Sequence, residues 1–521
     1  MLSAKIFTII SNSENFFHKS IEKYSQMPDY IVGKKALPLR AFYERLKINL
    51  MSTQIDRTKE LETRDIKSLL WTYALPAVIS QIIASVYNIV DRIFIGQGVG
   101  ALAIAGLAIT FPIMNIIHAF GSLVGAGSSA RLSIVLGRKD INWAEKIVGN
   151  SMILTLILGC LFTTCGYLFM DDILQAFGAT AETISYAREY MYIVLPGMFM
   201  TTVTFNLTGL IRASGYPIKA MWILAGGAIL NIILDPIFIF VLDWGIAGAA
   251  WATTISMSVG GIVSLAHFID RKSFIRFRQH AWVPKLYIFR NIMLIGISPF
   301  SMNLASAGVV ALLNAQLIRY GGDLAVGAYG IVNSYVNFLF LFILGICQGM
   351  QPIAGYNYGA GKNQRLKEIF DLTMRITIFI GFVGAIIAML IPGTMARLFS
   401  SDEALVSLAT PAMRLLMVMF PFIAFTVTNS NFFQSIDKPW IAIVVSLSRQ
   451  LIFLLPMIYI VPPIFEGFGW KGLTGIWTSC TICDVLGAVL AMIFLYTQRK
   501  VFSPDYKSPV KRPMQEAGPK A

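Results

Sequence analysis

Asp91 lies near the end of the first long apolar stretch of the chain, residues 69–96. A carboxylate at membrane depth costs at least ~2.5 kcal/mol, so such residues usually face a protein interior or a water-filled cavity. Tyr87 and Asn88 precede Asp91 by four and three positions, which places the three polar side chains on one helix face. The spacing predicts that this helix binds an ion whose movement is coupled to the activity of the protein. A structural pairing of Asp91 with the adjacent Arg92 is the alternative, but neighbouring helical residues point about 100° apart.

A second acid lies in the fifth apolar stretch. Asn231 and Asp235 are four residues apart and share a helix face, and the sixth stretch adds Thr253 and Ser256. Two carboxylates in one low-dielectric pocket cannot both ionise cheaply, so Asp91 and Asp235 are predicted to share a proton or a cation. Carboxylate, amide and hydroxyl oxygens also suit a hard cation such as Na⁺. The predicted sodium ligands, if sodium is the coupling ion, are Asp91, Asn231, Asp235 and Thr253.

The last two apolar stretches carry one opposite-charge pair, Arg449 and Asp484. Both residues fall near mid-depth of stretches that run antiparallel. The favoured interpretation is a buried ion pair that fixes the second half of the chain, and a substrate contact is the alternative. Removal of one partner would leave the other charge uncompensated, at a cost of ~3–5 kcal/mol.

The composition is that of a polytopic membrane protein. The chain has 521 residues, of which 56% are hydrophobic and 13% are charged, and that charged share is about half the usual one. The formal net charge of +14 falls in the tails and in alternate loops. It therefore reports membrane topology rather than a nucleic-acid surface, and no nucleic-acid partner is expected.

Twelve apolar spans follow from residue 66 onward, and each is predicted to be a helix because a span in lipid must satisfy its own backbone groups. Lys and Arg crowd one set of connectors, and the opposite set is nearly bare. The positive-inside rule then places both termini and the basic linker 270–289 in the cytoplasm. The predicted spans are roughly 67–95, 101–130, 146–170, 184–211, 219–241, 246–269, 290–319, 325–357, 367–397, 406–434, 439–462 and 472–497.

The second six spans repeat the first six at an offset of about 222 to 227 residues. Pro76 aligns with Pro299 and Asp91 with Asn314, so the paired acids belong to the first repeat alone. An even number of spans per repeat gives both repeats the same orientation, with the axis along the membrane normal and the substrate site between them. The predicted organisation is a basic N-terminal segment (residues 1–66), an N-lobe (67–269), the linker (270–289), a C-lobe (290–497) and a cytoplasmic tail (498–521). Residues 1–50 are interpreted as a possible artefactual extension, because the sequence from Met51 onward reads like the usual N-terminus of a membrane protein.

Several motifs make the chain resemble the multidrug and toxic compound extrusion (MATE) family, in its DinF- and MepA-like branch. The resemblance runs from about residue 69 to 495. The motifs are YNIVDRIFIG at 87–96, GLIRASGYP at 209–217, LNIILDPIFIF at 230–240, GIAGAAWAT at 245–253 and QGMQPIAGYNYGAGK at 348–362. The resemblance implies an all-α fold of two six-helix lobes in a V around a central cavity. It also implies export of lipophilic, often cationic compounds, driven by Na⁺ or H⁺.

The resemblance also assigns roles to residues. It implies cation coupling by Asp91, Tyr87, Asn231, Asp235 and Thr253, and bending of the first helix at Pro76. Binding of H⁺ or Na⁺ by the two acids would then drive antiport by alternating access. No cofactor other than that ion is expected, and the protein is expected to be a monomer among the lipids of the plasma membrane.

Other functions remain open on the sequence alone. A flippase for a lipid-linked substrate, or an exporter of one endogenous metabolite, is the nearest alternative. A polytopic membrane enzyme is disfavoured because no loop offers a His–acid pair or a conspicuous nucleophile. An ATP-driven pump is disfavoured because the sequence has no G-x-x-x-x-G-K-[ST] loop. A non-transporting scaffold has no need of carboxylates inside the membrane.

Overall fold

In a computed structural model of the chain, the described residues are 58–270 and 273–506, and they form helices and no strand. The predicted extension at residues 1–50, residues 271–272 of the linker and residues 507–521 of the tail lie outside them. The α-helices are α1 (Thr58–Thr63), α2 (Ile66–Gly98), α3 (Ala101–Gly137), α4 (Ile141–Leu168), α5 (Met170–Ala176), α6 (Ile184–Ala213), α7 (Pro217–Pro236), α8 (Gly245–Ile269), α9 (Leu286–Gly359), α10 (Asn363–Leu390), α11 (Pro392–Arg397), α12 (Glu403–Met417), α13 (Phe420–Ser435), α14 (Pro439–Leu447), α15 (Leu455–Gly467) and α16 (Gly472–Thr497).

Polar caps and prolines mark where the long helices begin. The Asp65 side chain accepts a hydrogen bond from the Ser68 backbone N–H at the start of α2, and Asp140 does the same for Trp143 at the start of α4. Each cap satisfies one of the backbone donors that a helix leaves free in its first turn. Pro217 opens α7, where the missing N–H of proline costs nothing.

Ten of the described helices, with α14 and α15 counted as one span, are long and apolar enough to cross a membrane. Helix α9 has 74 residues, which corresponds to about 110 Å, far more than one bilayer core of ~30 Å. Gly322 has φ 67° and ψ −168°, so the chain turns there and α9 is two spans. Helices α12 and α13 form one further span. The fold is thus an all-α membrane protein of twelve transmembrane helices in two six-helix lobes.

Two predicted spans differ from the structure in detail. The span predicted at 406–434 is two helices, Glu403–Met417 and Phe420–Ser435, which meet at 49°. Pro421 lies at the start of the second helix, where it cannot donate a hydrogen bond back into the first. The predicted connector at 320–324 is reduced to the single break at Gly322, because the flanking residues remain helical.

The two lobes meet along an interlobe seam at one end of the molecule. A β-carbon at Gly137 would lie 2.0 Å from the Tyr356 carbonyl oxygen, and one at Gly359 would lie 2.0 Å from the Ile134 carbonyl oxygen. Residues 137 and 359 are 222 positions apart, as are 134 and 356. The contact therefore repeats itself about the pseudo-twofold axis, at an offset within the range of the sequence repeat.

Polar contacts reinforce the seam at this end, which is called the basic end because the turns after α3 and α9 carry Arg138, Lys139 and Lys362. Arg131 of the N-lobe donates to Asp437 of the C-lobe across 2.5 Å. Arg212 of the N-lobe donates to Gln348 of the C-lobe across 2.9 Å. Both contacts join one lobe to the other.

Helix α2 packs differently along its length. Its first half lies against the C-lobe, where a β-carbon at Gly349 would meet the Ala74 backbone at 2.6 Å. From Gln81 to Val90 no residue is buried. The helix is therefore held firmly at the basic end and is only partly covered in its middle, before the buried Asp91 and Ile95.

Candidate functional site

A buried polar cluster joins α7 to α8 within the N-lobe. The Asn231 amide donates to Asp235 Oδ1 across 3.3 Å and to Thr253 Oγ1 across 3.2 Å. All three residues are at most 1% exposed. The four-residue spacing places Asn231 one turn from Asp235 on the same face of α7, and α8 supplies the hydroxyl from the neighbouring helix.

Asp91 extends this cluster to α2. It is buried, and its carboxyl group lies close enough to that of Asp235 to interact with it directly. Two ionised carboxylates side by side in a buried site repel each other, so a proton on one of them or a cation between them stabilises the contact. The structure thus brings the two acids together, and the pair can hold one exchangeable positive charge.

Four side-chain oxygens on α2, α7 and α8 are buried and receive no hydrogen bond from the protein. They are Asp91 Oδ1, Asn231 Oδ1, Asp235 Oδ2 and Ser256 Oγ. Carboxylate, amide and hydroxyl oxygens are ligands for hard cations, and a carboxylate oxygen is also a proton acceptor. Within residues 58–270 and 273–506, no three His, Cys, Asp or Glu side chains are grouped to hold a metal ion. The chemistry of this donor set therefore fits a proton or a weakly held alkali cation as cargo.

Two tyrosines surround the acids. The Tyr87 ring lies close enough to Asp91 and Asp235 to interact with both charges. Tyr190 of α6, which is 1% exposed, lies close to Thr253, Asp91 and Asp235. Tyr190 was not predicted from the sequence. The spacing of polar residues in its stretch does not single it out, so only the packing of α6 against α8 reveals it.

Two predicted residues of the first helix lie apart from the cluster. Asn88 is exposed, and its amide donates to the Ala84 carbonyl of its own helix across 2.7 Å. The structure does not bring it to the acids. Pro76 is buried 15 residues before Asp91, about 22 Å along the helix, and the Ser80 hydroxyl donates to its carbonyl across 2.9 Å. Pro76 thus lies in the tightly packed half of α2.

The C-lobe holds the predicted opposite-charge pair. Arg449 donates to Asp484 across 3.1 Å, and the two side chains are 23% and 4% exposed. Arg449 lies on a π-helical segment, Ser448–Leu454, and its side chain packs against Gly487. Such segments are rare and often mark functional sites. This lobe pairs its acid with a base, whereas the N-lobe pairs two acids.

Comparison with known proteins identifies clear relatives. The MatE family model matches residues 76–237 and 290–460. The multidrug export protein MepA of Staphylococcus haemolyticus is 28% identical over 437 residues, which cover 84% of this chain and 94% of that protein. A multidrug resistance MATE family transporter of the MOP superfamily, solved in an outward-facing conformation, is 25% identical and superposes with a TM-score of 0.78 over 85% of this chain and 98% of that one. A MATE protein solved in the bent conformation is 25% identical and gives a TM-score of 0.80 over 86% and 98%.

Proposed function

The chain belongs to the MatE family and is thus a membrane transporter rather than an enzyme, and we propose that it exports lipophilic or cationic compounds in exchange for H⁺ or Na⁺. The observation that carries the exchange is the contact between the Asp91 and Asp235 carboxyl groups, buried between α2 and α7. The name of the staphylococcal relative, a multidrug export protein, supports the class of substrate.

The acid pair supplies a physical reason for exchange. When a proton or Na⁺ occupies the pair, the negative charge at the site falls and a cationic substrate loses its electrostatic attraction. When the ion leaves, Asp91 and Asp235 repel each other and attract a cation instead. One pair of carboxylates can therefore serve either cation in turn, but not both together. The ion can drive the cycle only if it binds the two conformations of the protein with different affinity.

The position of Asp91 links the ion to movement. It lies just beyond the stretch Gln81–Val90 of α2, in which no residue is buried. A change in the force between Asp91 and Asp235 therefore acts next to the least buried stretch of α2. The Asn231 amide and the Thr253 hydroxyl keep the Asp235 side of the contact in place.

The same proposal gives the protein an orientation. The basic end carries the Lys and Arg residues of the turns after α3 and α9, and positive loops remain in the cytoplasm. The basic end would then face the cytoplasm, with both termini on that side and the protein in the plasma membrane. In this orientation the seam is closed toward the cytoplasm.

The test is efflux of ethidium from proteoliposomes under a proton gradient or a sodium gradient, imposed separately. Wild-type protein is expected to move the dye under one of the two gradients. Asp91→Asn and Asp235→Asn are each expected to reduce that flux to the level of empty liposomes, because the amide cannot exchange a proton and holds Na⁺ less tightly. The matched control is Asp243→Asn, since Asp243 is exposed in the turn before α8 and asparagine tolerates its positive φ of 54°.

Two results would contradict the proposal in different ways. Normal gradient-driven flux in Asp91→Asn would remove the acid pair from the coupling mechanism. No flux of wild-type protein under either gradient would instead favour a lipid-linked substrate or a single endogenous metabolite.

A further inference from the structure

A short helix before the first membrane span connects the two lobes at the basic end. Helix α1 carries Glu62, and Lys362 of the C-lobe approaches the Glu62 carboxylate to 2.9 Å. Lys139 of the N-lobe approaches the other oxygen of the same carboxylate to 3.4 Å. The Tyr356 hydroxyl also donates to it across 3.4 Å. One carboxylate thus binds the basic turns that follow α3 and α9, which are the matching turns of the two repeats.

The backbone of α1 is fixed to the C-lobe. The Leu61 carbonyl accepts hydrogen bonds from Asn357 and from Arg365, each across 3.3 Å. Arg365 also donates to the Arg64 carbonyl across 2.6 Å. Leu61 itself is fully buried. These bonds hold Glu62 in place against the C-lobe turn, so that its contact with Lys139 is the one that reaches across to the N-lobe.

The seam beneath Glu62 joins the two lobes where α3 crosses α9. Any movement that opens this end must separate Gly137 from the Tyr356 carbonyl oxygen, and Gly359 from that of Ile134. The turns that carry Lys139 and Lys362 directly follow these crossing points in sequence. When the turns separate, Glu62 can remain with one lysine but not with both.

We propose that Glu62 is a latch that keeps the basic end closed and that loses its contact with Lys139 each time that end opens. The inference rests on the proposed function, because a transporter that works by alternating access must open this end. The side chains of Lys139 and Lys362 are 68% and 37% exposed. Ion pairs in water are weak, so the latch biases the conformation without preventing the transition.

The test measures the conformation directly. Spin labels at Asn142→Cys on α4 and Lys367→Cys on α10 place one exposed probe on each lobe at the basic end. The five native cysteines are replaced with alanine, and distances are measured by double electron–electron resonance in lipid nanodiscs. In otherwise unaltered protein the short distance of the closed end should dominate.

Glu62→Gln is expected to raise the long-distance population roughly two- to fivefold, the effect of losing a weak ion pair. Lys139→Gln should have an effect as large as that of Glu62→Gln, because its contact is the one that reaches across to the N-lobe. Lys362→Gln should have a smaller effect, because the backbone bonds of Leu61 and Arg64 hold α1 to the C-lobe without it. The matched control is Glu60→Gln on the same helix, whose carboxylate pairs with Arg64 of its own turn. It should leave the distances unchanged.

Equal distance distributions in Glu62→Gln and Glu60→Gln would overturn the latch. Dye efflux by the same variants is a separate readout. Loss of dye transport in unaltered protein, with the distance change in Glu62→Gln intact, would contradict the proposed function and leave the latch standing. Normal dye transport by unaltered protein, with no distance change in Glu62→Gln, would contradict the latch and leave the proposed function standing.

Discussion

Substitution of Gly296 by alanine tests how closely the lobes must approach. Gly296 lies in the first half of α9, and a β-carbon there would be 1.7 Å from the Leu123 carbonyl oxygen and 2.9 Å from its α-carbon. Contacts of 3.0 Å are already the tightest that real β-carbons make, so α3 and α9 would have to separate by at least 1.3 Å, the difference between the two values. The obstacle is backbone, which cannot rotate away as a side chain can.

The expected cost follows from two opposing terms. Overpacking costs about 1–3 kcal/mol and occasionally more, and the rigid backbone partner places Gly296→Ala at the upper end. Replacement of a mid-helix glycine by alanine recovers about 1 kcal/mol of helix propensity. Gly308→Ala is the matched control, because it lies in the same half of α9 with nothing within 4 Å of its added carbon. The control isolates the helix-propensity gain, so the two variants should differ by about 3 kcal/mol.

Thermal unfolding can be followed with a thiol-reactive dye, because Cys347 and Cys483 are buried in the native protein and react once it unfolds. With an unfolding entropy of about 2 cal/mol/K per residue, a 3 kcal/mol difference corresponds to roughly 3 °C for a chain of this size. Gly296→Ala should unfold below wild type, and Gly308→Ala at or above it. Equal unfolding temperatures for the two variants would show that the seam is looser than the structure has it.

Two further predictions concern the charged pairs. Arg449→Met should lower the unfolding temperature by removing the partner of the buried Asp484, at a cost of about 3–5 kcal/mol, and adding Asp484→Leu should recover most of that loss; equal instability of the single and double variants would contradict this. Hydrogen bonding from Lys362, and then from Lys139, holds the pKa of Glu62 below its usual range despite partial burial. A depressed carboxyl pKa gives stabilisation that is present above the unfolded value and is lost as pH falls through the folded one. The distance distribution at the basic end should therefore stay constant from pH 8 to 5 and broaden only in stronger acid, and a change near neutral pH would show that another group controls the latch.

The sequence predicted the helices and much of the cluster, because both depend on local periodicity. Apolar length located the spans, and the four-residue spacing placed Asn231 and Asp235 on one face. The same rule placed Asn88 beside Asp91, but the Asn88 amide bonds to the carbonyl of Ala84 instead. A short polar side chain in a helix can hydrogen-bond to a backbone carbonyl of its own helix, and sequence spacing does not show whether it does.

Contacts between distant segments could not be predicted from spacing. The place of Tyr190 beside Thr253 and the bridging position of Glu62 depend on how separate helices pack. The pairing of Asp91 with Asp235 was predicted from the cost of two buried carboxylates and not from spacing. Glu62 also lies in a mixed, charged stretch where a single glutamate carries no signal. The internal repeat was a partial guide, since it showed that the turns after α3 and α9 correspond, but not that a third segment lies between them.

The middle of α2 is its loosely packed part. Ala74 before it and Ile95 after it are fully buried, whereas no residue from Gln81 to Val90 is buried. Asp91 lies about 15 Å along the helix from Gln81, so a bend of about 10° at Gln81 would displace Asp91 by about 3 Å, the length of a hydrogen bond. Small angular changes in the middle of α2 therefore suffice to make or break the contact with Asp235, and they would move the packed segment around Ile95 together with Asp91.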